Sequence, residues 1–445
     1  MTGGRFLWAR EPVNHGLHIM FIPCILWRMD TITPADNAAK KSMLLFSLAI
    51  FCTALASGFG SQIFSNYFND VFHITPVQRG FLEVPRESPG VLCMVVVMLL
   101  SGLGTVRMAV LSQLLVFCGV LVMAFFSPSY SIMLLFLFVE SLGEHFFMPL
   151  NDTLSMALTK KGSEGTGYGK YKGVSTTGSL AAAVCVFIGF KTGFFTFSSR
   201  IILTFVCSIV FSFASASFLF MLHRTLKNPP AVKRHTLVIR RAYLPYYLVA
   251  LGYGCQKRIR IVFAPWVIIM LLKQGADTIA LLTIAIRFIG SAMAPCIGKG
   301  LDKLGVKKML VIESLYIFAT FCAMGLLAGM LDSGRLSAGS SFASGISPAV
   351  LMLYAAYILV ALFDQFNMVH SFLMRTIALD KAEVTNTLSV GISFDHIMAV
   401  VASPVLGCVW AALGVQYVFY FTALSAVFQT AAAFMAHSAE REVTV

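Results

Sequence analysis

Residues 223–241 read HRTLKNPPAVKRHTLVIRR, a polar and basic stretch with Pro229 and Pro230 near its middle. Paired prolines and closely spaced cations interrupt any apolar helix, so this stretch is a linker. Apolar runs of about 20 residues, the length that crosses a bilayer, lie on both sides of it. Upstream they fall near 43–63, 81–101, 107–126, 131–151, 173–192 and 199–222, and downstream near 242–272, 277–297, 308–330, 348–371, 387–410 and 413–436. The pattern predicts an all-α integral membrane protein of twelve transmembrane helices in two six-helix pseudo-repeat bundles. The expected parts are a cytoplasmic tail at 1–42, a bundle at 43–222, the cytoplasmic linker at 223–241, a second bundle at 242–437 and a cytoplasmic tail at 438–445.

Composition agrees. Hydrophobic residues fill 58% of 445 positions and charged residues 12%, against roughly 45–50% and about 25% in soluble domains. The 39 Phe and 22 Met are too scattered for a cofactor site and read as lipid-facing and packing side chains. The ten Cys form no CxxC pair and no metal-ligand spacing with His, so neither a disulfide framework nor a bound metal is expected. No other cofactor is expected.

The net charge of +13 raises the question of a nucleic-acid partner, and the position of the cations answers it. With the amino terminus placed in the cytoplasm, 23 Lys and Arg fall in inside segments and 6 in outside ones, Arg79 and Arg86 among the latter. That is the positive-inside bias, and it accounts for the charge without nucleic acid. Both termini are expected in the cytoplasm, in a multi-pass protein of the cell membrane that works as a monomer. The apolar patch from His18 to Trp27, broken by Pro23, is too short to span and lacks a small-residue cleavage site, so no signal peptide is expected. Met29 opens a more ordinary polar leader and is a second candidate start.

Residues 298–310, GKGLDKLGVKKML, resemble the cytoplasmic signature of the major facilitator superfamily, with Gly298, Asp302, Lys303, Gly305, Lys307 and Lys308 in its places. The physical sense is that an acidic residue at a helix end beside a basic turn can latch neighbouring helices. The loop in the first half, SGLGTVRMAV, keeps Gly102, Gly104 and Arg107 but has no Asp. Residues 66–90 and 386–414 are similar to segments of a prokaryotic branch of that superfamily. The resemblance covers residues 43–437. It implies a transporter that carries a small solute by alternating access.

Charges within spans are costly and mark function. In the run GCQKRIRIVFAPW, Lys257 lies about 22 Å along an α-helix from Ala242, which is near the bilayer midplane. Gln256, Lys257 and Arg260 are therefore candidate substrate contacts, with Lys257 and Arg260 on one face and Arg258 directed at a carboxylate on a neighbour. Glu140, Glu144, Asn151, Asp364 and Gln365 join the candidate substrate set. Glu83, Arg86 and Glu87 stack at spacings of three and four. Glu83, Arg86, Glu144, Asp395 and His396 are the candidate proton-coupling groups, Glu144 first and Glu83 second, because a carboxylate that alternates between a cation and a proton couples transport to a proton gradient. For His145 and His396 a proton relay is one reading, and a hydrogen-bonded packing role is the one favoured. Two midplane cations favour an anionic solute. The partners expected are thus the lipid bilayer, a small polar, possibly anionic, solute and a coupling proton.

Two other classes remain at this point. A polytopic lipid-modifying enzyme needs a nucleophile, metal cluster or phosphate loop, and HExxH, GxSxG and Walker patterns are absent from the sequence. A membrane sensor or assembly protein usually adds a soluble domain, whereas the longest expected outside loop, 331–347, is Ser/Gly-rich and short.

Overall fold

A computed structural model of the chain describes residues 34–125, 129–159, 164–226, 239–336, 347–380 and 383–443. Most of the linker, at 227–238, and the leader before Pro34 lie outside the described residues. All regular elements among the described residues are helical. The first series comprises α1 (Pro34–Gly60), α2 (Phe64–Phe72), α3 (Pro76–Phe81), α4 (Glu83–Leu100), α5 (Thr105–Phe125), α6 (Tyr130–Ala157), α7 (Glu164–Lys191) and α8 (Leu203–Thr225). The second comprises α9 (Leu244–Arg258), α10 (Ala264–Met270), α11 (Ala276–Asp332), α12 (Pro348–Leu362), α13 (Asn367–Ile377), α14 (Glu383–Leu413), α15 (Val415–Leu424) and α16 (Val427–Val443).

Among the described residues, nine helical stretches are long and apolar enough to cross a membrane. One is α11, 57 residues long, and it breaks at Gly305, where φ is 74° and ψ 167°. The expected runs 277–297 and 308–330 lie on either side of that break. Gly104, in the matching loop of the first half, also has a positive φ of 78°. Both turns need the left-handed backbone that glycine adopts without a Cβ penalty. Two expected spans fall outside the nine: α4, which carries Glu83, Arg86 and Glu87, and the α9–α10 segment, which carries Lys257, Arg258 and Arg260. The latter is not one α-helix, because residues Ile259–Phe263 form a π-helical turn between α9 and α10. The run near 348–371 is interrupted too, by a 3₁₀ turn at Phe363–Phe366.

The bilayer, acting as solvent, explains the distribution of side chains. Leu99, Leu315, Val210 and Phe434 are exposed on helix surfaces, while hydroxyls turn inward and bond between helices. Thr53 and Ser215 approach to 2.8 Å, Ser208 donates to the Ala56 carbonyl at 2.8 Å, and Ser314 meets Thr430 at 2.7 Å. Apolar surface gains nothing by turning from lipid, so close packing and interhelical hydrogen bonds hold such a bundle.

Within the first series α1 packs on α7 and α8, and α5 on α6 and α8; in the second, α9 packs on α14 and α16, and α11 on α12, α15 and α16. The two series meet where α3 and α4 lie against α14, where α7 lies against α11, and where α2 lies against α10. The end of the bundle holding residues 61–82 and 271–276 is called the far end below. The opposite end, where Arg240 and Tyr243 bond to Glu383, is the tail end.

Candidate functional site

The far end is built from a local sequence signal. Thr75 caps α3 by accepting from the Gln78 amide, the Gln78 side chain bonds back to the Thr75 amide, and Pro76 occupies the first turn. This reciprocal cap sets where the helix starts. It places Arg79 and Gly80 against the second series. A Cβ on Gly80 would stand 2.4 Å from the Ser403 carbonyl oxygen, and one on Gly407 2.7 Å from that of Pro76. Only two glycines let α3 and α14 approach so closely.

One turn inward lies a buried ionic network. Arg79 bonds Glu83 at 2.7 Å, with its guanidinium 5.7 Å from the centre of the Trp266 ring on α10. Arg86 reaches Glu83 at 3.0 Å and Glu87 at 3.3 Å. Arg258, fully buried, crosses from the second series to Glu83 at 3.3 Å and Glu87 at 3.0 Å. His396 on α14 meets Glu87 at 2.9 Å, and its ring lies edge-on to His145, 4.7 Å between centroids. Gly90 makes room for that ring, since an added Cβ would stand 2.5 Å from it. Lys257 bonds Asp395 at 2.5 Å. A buried pair that loses one member strands the other charge, so this network holds the two series together only as a complete set.

A second group is more open. Tyr253 donates to Asp364 at 2.5 Å, Arg260 lies 3.8 Å from the same carboxylate, and the Lys257 ammonium is 6.0 Å from the Tyr253 ring centre. Arg287 on α11 lies close enough to interact electrostatically with Arg260 and Asp364 and is exposed. Three cations and few carboxylates leave this group with an excess of positive charge. Gln365 stands beside Gly290 on the same wall.

A third group lies in the first series. A cavity of about 200 Å³ between α1, α5, α6 and α7 is lined by Glu144, Asn151, Gln113 and Ser57 among others. Glu144 accepts a hydrogen bond from Ser57. Glu140, one turn away, is buried where α6 crosses Gly119 of α5.

The sequence-derived candidates thus separate. Lys257, Arg260, Asp364 and Gln365 gather in the open group, Glu144 and Asn151 line the cavity, and Glu83, Arg86, Asp395 and His396 belong to the ionic network. Gln256 turns away from all three: its amide nitrogen donates to Ser425 and Gln429, and its oxygen accepts from Gln429. Both amide hydrogens are used between helices, so in this structure Gln256 ties α9 to α16. Asp302 and Lys303 are exposed, and neither side chain makes an ion pair or hydrogen bond among the described residues. Gly298 and Gly305 have open space beside them.

Arg79, Arg287, Tyr253 and Gln113 were missed by sequence reasoning. Arg79 was assigned to an outside loop, yet its spacing of four from Glu83 continues the stacked series and was the available signal. Arg287 lies within the apolar run 277–297, where a lone cation was the available signal. Nothing in the sequence marks Tyr253 or Gln113. Glu87, His145 and His396 place one potential ligand atom each within 4.8 Å of one another. Both Glu87 oxygens are already engaged by Arg86, Arg258 and His396, and a further cation would meet two guanidiniums there.

No protein-family model and no curated protein matches the sequence. Solved structures do. The chain is similar to the nucleoside transporter NupG, with a TM-score of 0.64, 14% identity and coverage of 88% of this chain and 98% of that one. A POT family transporter in complex with 5-aminolevulinic acid superposes with a TM-score of 0.69 at 11% identity, covering 91% and 96%. A bacterial homologue of the human lysosomal transporter Spinster, inward-facing and occupied, gives 0.60 at 12% identity, covering 93% and 98%. Coverage of nearly the whole length in each case shows that this chain has the fold of these solved transporters.

Proposed function

We propose that the protein is a secondary active transporter that moves a small polar, partly anionic solute across the cell membrane by alternating access, coupled to protons. The observation that carries this reading is the contrast between the two places where α9 and its π turn present charge. Arg258 seals the two series through Glu83 and Glu87, while Arg260 and Arg287 remain around a single partly exposed Asp364, beside the Lys257–Asp395 pair. A transporter needs both: an interface that opens and closes, and a charged group that meets the solute when it is open. The fold supports it, since a nucleoside transporter and a peptide transporter are built the same way.

In this reading the chain crosses the membrane twelve times. The nine apolar stretches supply ten crossings once α11 is divided at Gly305, and α4 and α9–α10 supply the charged two. Bundles at 43–222 and 242–437 rock as units, the protein works as a monomer, and the tail end is cytoplasmic. The far end, closed by Gly80 and Gly407, is then the outer gate, and Asp302 belongs to a conformational latch at the cytoplasmic side. A reporter fused after Pro230 should be cytoplasmic and one after Ser340 external. Finding both on one side of the membrane would remove the twelve-span topology.

Proteoliposomes test the function itself. Uptake of labelled nucleosides, dipeptides and small organic anions is measured with and without an imposed pH gradient. Arg260→Gln should weaken solute affinity about ten- to a hundredfold, the loss of one charge-assisted hydrogen bond. Glu144→Gln should abolish gradient-driven accumulation while preserving solute exchange. Accumulation that ignores the gradient in the unaltered protein would eliminate proton coupling, and absence of uptake for every solute class would eliminate transport of these compounds.

A further inference from the structure

Gln113 on α5 is 1% exposed, and among the described residues neither its amide oxygen nor its amide nitrogen has a hydrogen-bond partner. The Asn151 amide oxygen, on the facing helix α6, is also buried without a partner. Buried polar groups are nearly always satisfied, and here three orphan atoms belong to residues lining one cavity. Gln113 was assigned no role above. The chemistry of the orphans restricts what satisfies them.

A carboxamide presents one acceptor and one donor side by side in a plane. An ammonium group has donors only and leaves the Gln113 nitrogen unmet, while a carboxylate or phosphate has acceptors only and leaves its oxygen unmet. A trans peptide carries its N–H and C=O on opposite edges and cannot engage both amide atoms at once. A lactam or amidine edge, with N–H and acceptor adjacent, matches both, which is the way Asn and Gln read base edges elsewhere. The cavity lining holds no cation, and its carboxylate, Glu144, offers an acceptor to a further N–H or O–H. Val116 and Phe147 give it apolar walls for a flat ring. At about 200 Å³ it is smaller than the roughly 300–1,000 Å³ of a pocket enclosing a whole drug-sized ligand, so it receives one part of the solute.

We propose that this cavity is the specificity subsite of the transporter and takes a nucleobase-like heterocycle, with Gln113 pairing bidentately with its lactam or amidine edge and Asn151 and Glu144 accepting from N–H or sugar O–H groups beside that edge. This deepens the transport reading and rests on it for the word solute, but the binding claim is tested without transport. The purified full-length protein is titrated by calorimetry with uridine, 3-methyluridine, ribose and glycylglycine. Uridine should bind, and ribose and glycylglycine should not. Methylation at the ring N–H should weaken binding about ten- to a hundredfold, the worth of one bidentate pair. In Gln113→Leu the uridine affinity should fall to that of 3-methyluridine, and the ratio between the two ligands should approach one.

No uridine binding, equal binding of the methylated ligand to the unaltered protein, or an unchanged ratio in Gln113→Leu would each overturn the proposal. So would binding of glycylglycine or ribose in place of uridine. If Gln113→Leu does not fold, the methylated ligand still decides the matter on the unaltered protein. Binding with this pattern but no uptake in proteoliposomes would sink the transport reading and leave the subsite standing. Uptake of other solutes by a protein that ignores uridine would do the reverse.

Discussion

Arg258→Met is expected to open the far end. The guanidinium is fully buried and ties α9 to Glu83 and Glu87 of α4, with Asp395 at 3.9 Å. Breaking one member out of a buried ionic set costs about 3–5 kcal/mol, because the carboxylates left behind are not resolvated. The bridge joins the two series, so the cost falls on the state in which they are closed on each other. A penalty of that size lowers the ratio of closed to open protein by roughly two to four orders of magnitude. With native cysteines replaced and Ser403→Cys introduced, a membrane-impermeant maleimide should label the Arg258→Met protein rapidly and the Arg258 protein hardly at all. Adding Glu87→Gln removes one stranded charge and should restore part of the protection. Equal labelling with and without Arg258 would show that the network is not a gate.

Gly80→Val is expected to stop transport while leaving insertion and the rest of the fold intact. A Cβ at Gly80 meets the Ser403 carbonyl oxygen at 2.4 Å and the Gly407 Cα at 3.2 Å. These are backbone atoms, which have no rotamer to change, so α3 and α14 must separate. Overpacking costs about 1–3 kcal/mol or more, a five- to hundred-and-fiftyfold loss of the closed state. Here that strain disappears when the gate stays open. Gly80→Ala should give an intermediate rate and Gly407→Ala a similar one. Gly102→Ala, with nothing within 4 Å of its added methyl, is the control and should transport normally. Measured turnover within twofold of the unaltered protein for Gly80→Val would mean that α3 and α14 do not seal the outer end.

The helical membrane architecture was legible because its cause is local. Twenty apolar residues in sequence can satisfy their backbone groups in lipid only as a helix, and runs such as 107–126 and 199–222 emerge as α5 and α8 with small changes of boundary. Less legible were the runs that carry charge. Residues 242–272 read as one span, whereas the structure divides them into α9, a π turn and α10. An extra residue in a helical turn leaves no mark on hydropathy. Gln256 shows the same limit: counted as a midplane polar group it pointed to a substrate, yet its orientation depends on Gln429, far along the chain.

The sequence by itself determined that this chain is a multi-pass helical membrane protein and which charged residues interrupt its apolar runs. Periodicity, length and the energetic cost of a charge in lipid are properties that a linear reading can measure. Only the tertiary structure decided what each charge does. Arg79, an apparent loop cation, is buried against Glu83 and Trp266, and neighbouring Lys257 and Arg258 serve different carboxylates. Partners 130 or more residues apart are brought together by helix packing, and a charge has its meaning from the nearest opposite charge and the water it can reach. Neither quantity exists until the helices have assembled.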